Sequence, residues 1–445
     1  MSAPSSITIQ PVSRAIQGRI RPPGSKSITN RALVCAALAK GTSVLTGALD
    51  SEDTRVMIDS LSRLGIKVQS SGGGATLEVQ GCGGKIPVSS ADLFVGNSGT
   101  TIRFLAALCA LGYGTYRLDG IERMRQRPIG DLVAALQQLG VSIQYERNDG
   151  FPPLVVEGNG LAAAASKNVA HVKGDISSQF LSGLLMAAGA SSSNVKIRVA
   201  GDLVSKPYVD MTLKLMEAFG VRVAREGWNC FEIIANSVYE PQHFSVEPDA
   251  SAASYFWAAA AITGGEVKVE GLGANSLQGD VKFVECLEQM GCQINHDDSP
   301  SSLGITVSGR AARGIDVDMN AISDTAQTLA VVALFAKGPT TIRGVAHIRH
   351  KETDRIGDLA RELRKFGATV EEQVDGLRIA PPASQTSAPI EVETYNDHRM
   401  AMSFALAGLA RPGVTILNPG CTAKTFPRFF DNLASLCYQP PSELA

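Results

Sequence analysis

One local pattern recurs six times along this 445-residue chain, and that recurrence constrains the fold more than anything else in the sequence. A short β-prone run meets a polar or glycine-bearing turn, and a helix of small apolar residues follows. The first case is Gly18-Arg-Ile-Arg21, then Pro22-Pro23-Gly24, then a helix that Ser25 or Ser27 can cap and that continues through Ala32-Leu-Val-Cys-Ala-Ala-Leu-Ala39. The other openings lie at 91–101, 170–179, 244–251, 315–324 and 390–399. Each small-residue helix ends near a break at Gly41, Gly112, Ser191, Gly264, Gly338 or Gly413, and β-branched runs such as Val195-Lys-Ile197 and Val267-Lys-Val269 come next. A charged loop and a second helix then close on Gly65, Gly140, Gly220, Gly291 and Gly367, which suit the left-handed position just past a helix end. Two alternating strands finish most repeats, as at 75–79 and 154–157. The period, about 70–80 residues, is longer than that of any short solenoid. The pattern predicts an α/β protein of six βαβαββ repeats, with a domain boundary near 244–248 where the second set of three begins.

The openings also hold the chemistry. A helix start offers free N–H groups and about half a positive charge, so it attracts anions. Lys26, Ser27 and Arg31 stand at the first such corner. Asn97, Gly99 and Thr100 stand at the second, where a glycine lets a ligand approach the backbone. Arg127 precedes Pro128 at an expected first helical position. Ser177, Ser178 and Gln179 form a neutral cradle suited to phosphate, and Ser205 and Tyr208 flank the next proline-marked helix start. The later repeats add Asp324, then Lys351, Glu352 and Arg355, then His398, Arg399 and Lys424. If the helix has begun by Lys351, that residue and Arg355 share a face.

Taken singly, each corner has a plainer reading. Ser177 and Asp324 read as helix caps, the acids of 50–55 as a cap for the next helix, and Arg123 and Arg125 as solvated charges. Taken together, polar and cationic groups recur at equivalent corners of five of the six repeats. Corners that converge in each half would line a cleft for ligands of several negative charges, with Asp324 and Glu352 left for proton transfer.

Composition narrows the class further. A net charge of −2 argues against a general nucleic-acid or anionic-membrane binder, so any cationic site is local. No apolar run approaches the roughly 18 residues of a membrane span, and no signal peptide is evident, so a cytoplasmic protein is expected. Eight cysteines without a C-x-x-C pair read as reduced core thiols. His347-x-x-His350 has no third ligand nearby in sequence, so neither metal nor cofactor is expected.

Six motifs then carry a resemblance. Gly24-Ser-Lys-Ser-Ile-Thr-Asn-Arg31, Gly96-Asn-Ser-Gly-Thr100, Arg127-Pro-Ile-Gly130, Lys351-Glu-Thr-Asp-Arg355, Asn396-Asp-His-Arg-Met-Ala401 and Ala423-Lys-Thr-Phe-Pro427 are similar, in the same order over about 18–430, to those of the EPSP synthase family. The resemblance implies the two-domain enolpyruvyl transferase fold, an inside-out α/β barrel with three repeats per domain. The expected domains are 25–246 and 1–24 with 247–445, with the strand at 6–10 completing the sixth repeat. The implied reaction moves the enolpyruvyl group of phosphoenolpyruvate to the 5-hydroxyl of shikimate 3-phosphate and releases phosphate, the sixth step of the shikimate pathway.

The resemblance also implies ligand roles. Lys26, Ser27, Arg31, Ser177, Ser178, Gln179, Ser205, Tyr208, Asp324 and Lys351 are expected at shikimate 3-phosphate. Lys26, Gly99, Arg127, Gln179, Glu352, Arg355, Arg399 and Lys424 are expected at phosphoenolpyruvate. Lys26, Asp324, Glu352 and His398 are the candidates for proton transfer. The expected protein is a monomer inhibited competitively by glyphosate, an analogue of phosphoenolpyruvate, with domains that close on the first ligand.

Phe104 stands where the family pattern often has proline, so glyphosate tolerance is expected to differ; His347 replaces a common asparagine and is not counted in the site. UDP-N-acetylglucosamine enolpyruvyl transferase is the rival within the fold, but that family generally carries a cysteine in the loop matching 112–127, which has none here. An inactive ligand-binding member is the alternative of another class, and the intact Lys26, Asp324 and Glu352 argue against it. The absence of other domains argues against a fused multi-enzyme chain.

Overall fold

The computed structural model describes residues 4–161, 168–384 and 388–437. They form two compact lobes. The first is Gly24–Val246; the second joins the described residues up to Pro23 with those from Glu247 onward.

The small-residue helices form the centre of each lobe. In the first lobe these are Lys26–Leu38, Gly99–Cys109 and Ser178–Ala188; in the second they are Ala250–Thr263, Ala326–Ala333 and His398–Ala410. Every residue of Ala250–Thr263 is buried, which suits a helix that is apolar or small on every side. Trp257 lies fully inside, and its indole donates to the Ile305 carbonyl at 3.0 Å. The second helices are two-faced: Glu52–Arg63 buries Met57 and Leu61 and leaves Glu52 and Arg55 outside.

Sheets surround the helices. Among the described residues there are five four-stranded sheets and one of three. In repeat two, Ser90–Phe94 runs parallel to Tyr113–Asp119, Leu154–Asn159 runs antiparallel to that strand, and Ser142–Tyr145 forms the far edge. The other four-stranded sheets keep this order. Strand burial alternates, as in Val195–Ala200, where Val195, Ile197 and Val199 face the helices while Lys196 and Arg198 face out. The glycines at 65, 140, 220, 291 and 367 all have positive φ, between 82° and 112°.

Two strands depart from the order along the chain. Gln17–Ile20, expected to open repeat one, instead pairs in parallel with Glu266–Glu270 of repeat four. His243–Ser245, expected to open repeat four, pairs in parallel with Thr42–Thr46 of repeat one. The chain passes from one lobe to the other just after each of these strands, so the strand and the helix it leads into belong to different lobes. The sixth repeat has only Ile390–Val392 and Val414–Leu417 from its own sequence, and Ser6–Ile9 fills the third place, antiparallel to Val414–Leu417.

Candidate functional site

In the first lobe, three central helices present their N-termini with capped, polar starts. Ser25 accepts from the Ile28 amide and so fixes Lys26 as the first helical residue. The Lys26 ammonium lies 3.7 Å from Asp53 Oδ2, with 13% of its side chain exposed. The 50–55 stretch does cap its helix, through a reciprocal Ser51–Thr54 box, while Arg55 pairs outward with Asp50 at 2.6 Å. Asp53 faces inward to Lys26, a role the sequence reading did not give it.

Arg127 and Arg103 converge on the start of the Gly99–Cys109 helix. A Cβ on Gly99 would overlap both guanidinium groups, lying 2.7 Å from Arg127 Cζ, so only glycine leaves room for them. Arg103 donates to the Gly99 and Pro128 carbonyls and, at 3.3 Å, to Gln179 Oε1. Gln179 in turn donates to Thr100 Oγ1 at 3.2 Å. Arg127 spends Nη1 on the two oxygens of Asn97, and its buried Nε has no partner among the described residues. A buried guanidinium held only by neutral oxygens beside a helix start favours a bound anion. Pro128 does not begin the following helix: Arg127 is extended and the helix starts at Gly130. Arg125, read as solvated, grips Asp119 through Nε and Nη2 at 2.9 and 2.8 Å.

Arg31 lies deeper. It donates to Thr212 Oγ1 at 2.7 Å, the Ser27 carbonyl at 2.9 Å, Ser182 Oγ at 3.4 Å and the Tyr208 carbonyl at 3.3 Å, and sits 5.2 Å from the Phe104 ring centre. Burial pulls its pKa down to about 10, so it stays a cation at neutral pH. Most of its donors therefore serve the lobe's own frame. Ser177 accepts from the Gln179 amide, with Ser178 buried beside it as the first helical residue. Ser205 precedes its helix in the left-handed region, φ 54°, a strained conformation for serine.

In the second lobe the candidates gather around Arg355, whose side chain is almost wholly buried. It donates to Asp397 at 2.7 and 3.2 Å, to Glu352 at 2.8 Å and to Asp324 at 3.4 Å. Burial alone would lower its pKa, but Asp397 and Glu352 outweigh that and hold it above the ordinary value. Arg399 reaches Asp324 at 2.7 Å and the Tyr255 hydroxyl at 3.5 Å; Lys424 lies 3.6 Å from Glu352. Asp397 also caps its own helix by accepting from the Arg399 amide at 2.8 Å. Three cations, Arg355, Arg399 and Lys424, meet three carboxylates here.

Several expectations change. Asp324 is not a cap: it sits within the short Asn320–Thr325 turn and is paired to two arginines. Glu352 likewise is ion-paired, to Arg355 and Lys424. Lys351 precedes the helix, which begins at Arg355 after the cap Asp354, so the two do not share a helical face. His398 is 1% exposed, with Nδ1 3.6 Å from Asp397. The residues missed at first were Asp53, Arg103, Tyr255 and above all Asp397. Arg103 was detectable, because it lies four residues beyond Gly99 and so returns to the same helix face.

His347 donates or accepts at Ser323 Oγ, 2.9 Å away, and burial, then Lys351, pushes its pKa down to about 3. The unfolded chain protonates this imidazole near pH 6.5, the folded chain only near pH 3. Its contribution is therefore complete above about pH 6.5 and is lost as pH falls, by up to about 1.4 kcal/mol per pH unit. Between pH 7 and 4, the parent is expected to lose more melting temperature than a His347→Gln variant. Parallel melting curves over that range would contradict the assignment.

The profile of the family described as EPSP synthase (3-phosphoshikimate 1-carboxyvinyltransferase) matches residues 11–433. A Shewanella baltica protein named 3-phosphoshikimate 1-carboxyvinyltransferase is 50% identical over 432 residues, covering 97% of this chain and 99% of its own. A Nostoc punctiforme protein of the same name is 48% identical, covering 98% of this chain and 100% of its own. Among solved structures, EPSP synthase from Acinetobacter baumannii matches with TM-score 0.77 at 26% identity, over 96% of this chain and 97% of that one. The enolpyruvyl transferase NikO from Streptomyces tendae matches with TM-score 0.76 at 17% identity over 97% of each chain, a likeness of fold alone.

Proposed function

The chain belongs to the EPSP synthase family, and from that premise we propose how its residues divide the work of the reaction. The enzyme transfers the enolpyruvyl group of phosphoenolpyruvate to the 5-hydroxyl of shikimate 3-phosphate and releases phosphate. Both substrates carry a phosphate and a carboxylate. Arg127 carries the reading: it is a buried guanidinium at a helix start whose Nε has no partner among the described residues.

Arg127, the Gly99 helix start, Arg399 and Lys424 hold phosphoenolpyruvate. Gln179, Lys26 and Glu352 serve its reacting end, and Arg355 acts on it indirectly by fixing Glu352 and Asp324. Ser177, Ser178 and Ser205 hold the phosphate of shikimate 3-phosphate. Ser27, Tyr208, Lys351 and Asp324 meet the rest of that ligand, and Arg31 keeps Ser27 and Tyr208 in place from beneath.

The hydroxyl gives up its proton as its oxygen adds to the central carbon of phosphoenolpyruvate and the methylene carbon gains a proton; a proton then leaves the resulting methyl group as the bond from the central carbon to the phosphate oxygen breaks. Lys26, Asp324 and Glu352 hold the protons in these steps. Their side chains keep 13%, 14% and 7% of their exposure, whereas His398 keeps 1% and acts through Asp397. Glyphosate competes with phosphoenolpyruvate for the same cations. The chain works as a monomer in the cytoplasm.

Replacing Gly99 by alanine is expected to displace Arg127 or Arg103 from the helix start. Overpacking of this kind costs about 1–3 kcal/mol, so KM for phosphoenolpyruvate rises about tenfold while KM for shikimate 3-phosphate changes little. Equal changes in both constants would contradict the division of ligands. The reaction itself is tested by phosphate release from phosphoenolpyruvate with each acceptor supplied in turn. Turnover is expected with shikimate 3-phosphate. Turnover with UDP-N-acetylglucosamine in its place would assign the chain to the rival activity.

A further inference from the structure

The segment that delivers Asp397 and Arg399 is bound along one helix at three heights. At its start, Arg355 holds Asp397. Seven residues on, two helical turns away and on the same face, Glu362 accepts from the Tyr395 hydroxyl at 2.7 Å and from the Glu393 amide at 3.1 Å. At the far end, Lys365 Nζ donates to the Glu391 carbonyl at 3.0 Å. Glu362 is completely buried, although Lys365 reaches it at 2.7 Å. No step of the reaction uses it.

The segment so held is not relaxed. Tyr395 and Asn396 have φ of 52° and 55°, two consecutive residues with Cβ atoms in the left-handed region. Asparagine tolerates that region; tyrosine seldom enters it unless something else holds it there. Arg361 lies over the Tyr395 ring, 5.5 Å from its centre, and donates to its hydroxyl at 3.2 Å. Burial pushes the phenol up to about 12, so the hydroxyl keeps the proton it gives to Glu362. Directly after this turn come the cap Asp397 and then Arg399.

We infer that Glu362 is a positioning residue, which through the Tyr395 hydroxyl holds the strained 395–396 turn and thereby sets Asp397 and Arg399 at the phosphoenolpyruvate site. A buried carboxylate binding both a backbone amide and a side chain of the same turn fixes its direction as well as its distance. The inference rests on the proposed role of Arg399.

Three variants of the full chain test it: Tyr395→Phe, Glu362→Gln and Arg399→Gln. Tyr395→Phe removes one oxygen and leaves the ring and the backbone as they are. It is expected to raise KM for phosphoenolpyruvate about fivefold, with KM for shikimate 3-phosphate within about twofold and a melting temperature lowered by no more than about 2–4 °C, the size of one internal hydrogen bond. Glu362→Gln is expected to raise the same constant, and the double variant is expected to be no worse than the worse single, because both act through one link.

Unchanged KM in Tyr395→Phe and Glu362→Gln, with a raised KM in Arg399→Gln, overturns the positioning role alone. So do effects that multiply in the double variant, or a lowered melting temperature with normal constants. A raised KM in the first two variants with none in Arg399→Gln leaves the brace standing and overturns the role given to Arg399.

Discussion

An Asp397→Ala variant is expected to lose about 3–5 kcal/mol of stability in the second lobe, because it strips a fully buried arginine of its shortest ion pair. Asp397 accepts two bonds from Arg355, caps the His398–Ala410 helix and borders His398. The cap by itself accounts for about 1 kcal/mol of the loss. The remainder comes from leaving the Arg355 charge under-compensated in a place that water does not reach. Asp397→Asn keeps a capping oxygen and removes the charge, so its loss is expected to fall between those of the parent and the alanine variant.

The chain has two tryptophans, Trp228 in the first lobe and Trp257 at the centre of the second. In a Trp228→Phe background, Trp257 fluorescence during urea unfolding reports the second lobe alone. A lower midpoint with an unchanged slope is the expected result. A loss under about 1 kcal/mol would mean that Glu352 and Asp324 suffice to hold Arg355.

Lys26→Met is expected to lower kcat about 10²–10⁴-fold, the range associated with removing a positioned acid, base or charge stabiliser. Ser25 fixes Lys26 at the first position of a buried helix, and Asp53 draws its ammonium to 3.7 Å. A point charge held at a helix start acts on developing negative charge with little rearrangement. Methionine has nearly the same length and no charge, so the loss reports the charge. Asp53→Asn leaves the ammonium in place with a weaker tether, and a smaller loss is expected. Steady-state kinetics with both substrates saturating measure both variants; a Lys26→Met kcat within tenfold of the parent would remove Lys26 from the chemistry.

How much of this was legible in the sequence depends on the range of the interaction. Helix starts, caps and glycine stops are written within four or five residues, so Ser25, Ser177 and Gly65 read correctly. Strand pairing is not local. The pattern of strand, turn and helix around Gln17–Ile20 is the same whichever sheet the strand joins, and nothing in four residues names Glu266–Glu270 as its partner. The place of Ser6–Ile9 came from the family resemblance, with which the missing strands of the sixth repeat agreed.

Charged residues divide in the same way. Their recurrence at repeat corners pointed to anion binding, but whether a charge faces a ligand or another side chain depends on contacts far apart in sequence. Arg355 binds Asp397 across 42 positions, and Arg31 binds Thr212 across 181. Asp324 and Glu352 looked like free acids for the same reason. Asp397 was hidden by its ordinary role, since an aspartate before a helix needs no further explanation.

On the proposed reading, groups in each lobe serve one enolpyruvyl transfer. The most direct test of that reading is phosphate release from shikimate 3-phosphate and phosphoenolpyruvate, both saturating, by the parent, by Lys26→Met from the first lobe and by Asp324→Ala from the second. The parent is expected to release one phosphate for each acceptor consumed, and each variant to fall at least about a hundredfold in kcat. A parent-like rate in either variant would contradict it.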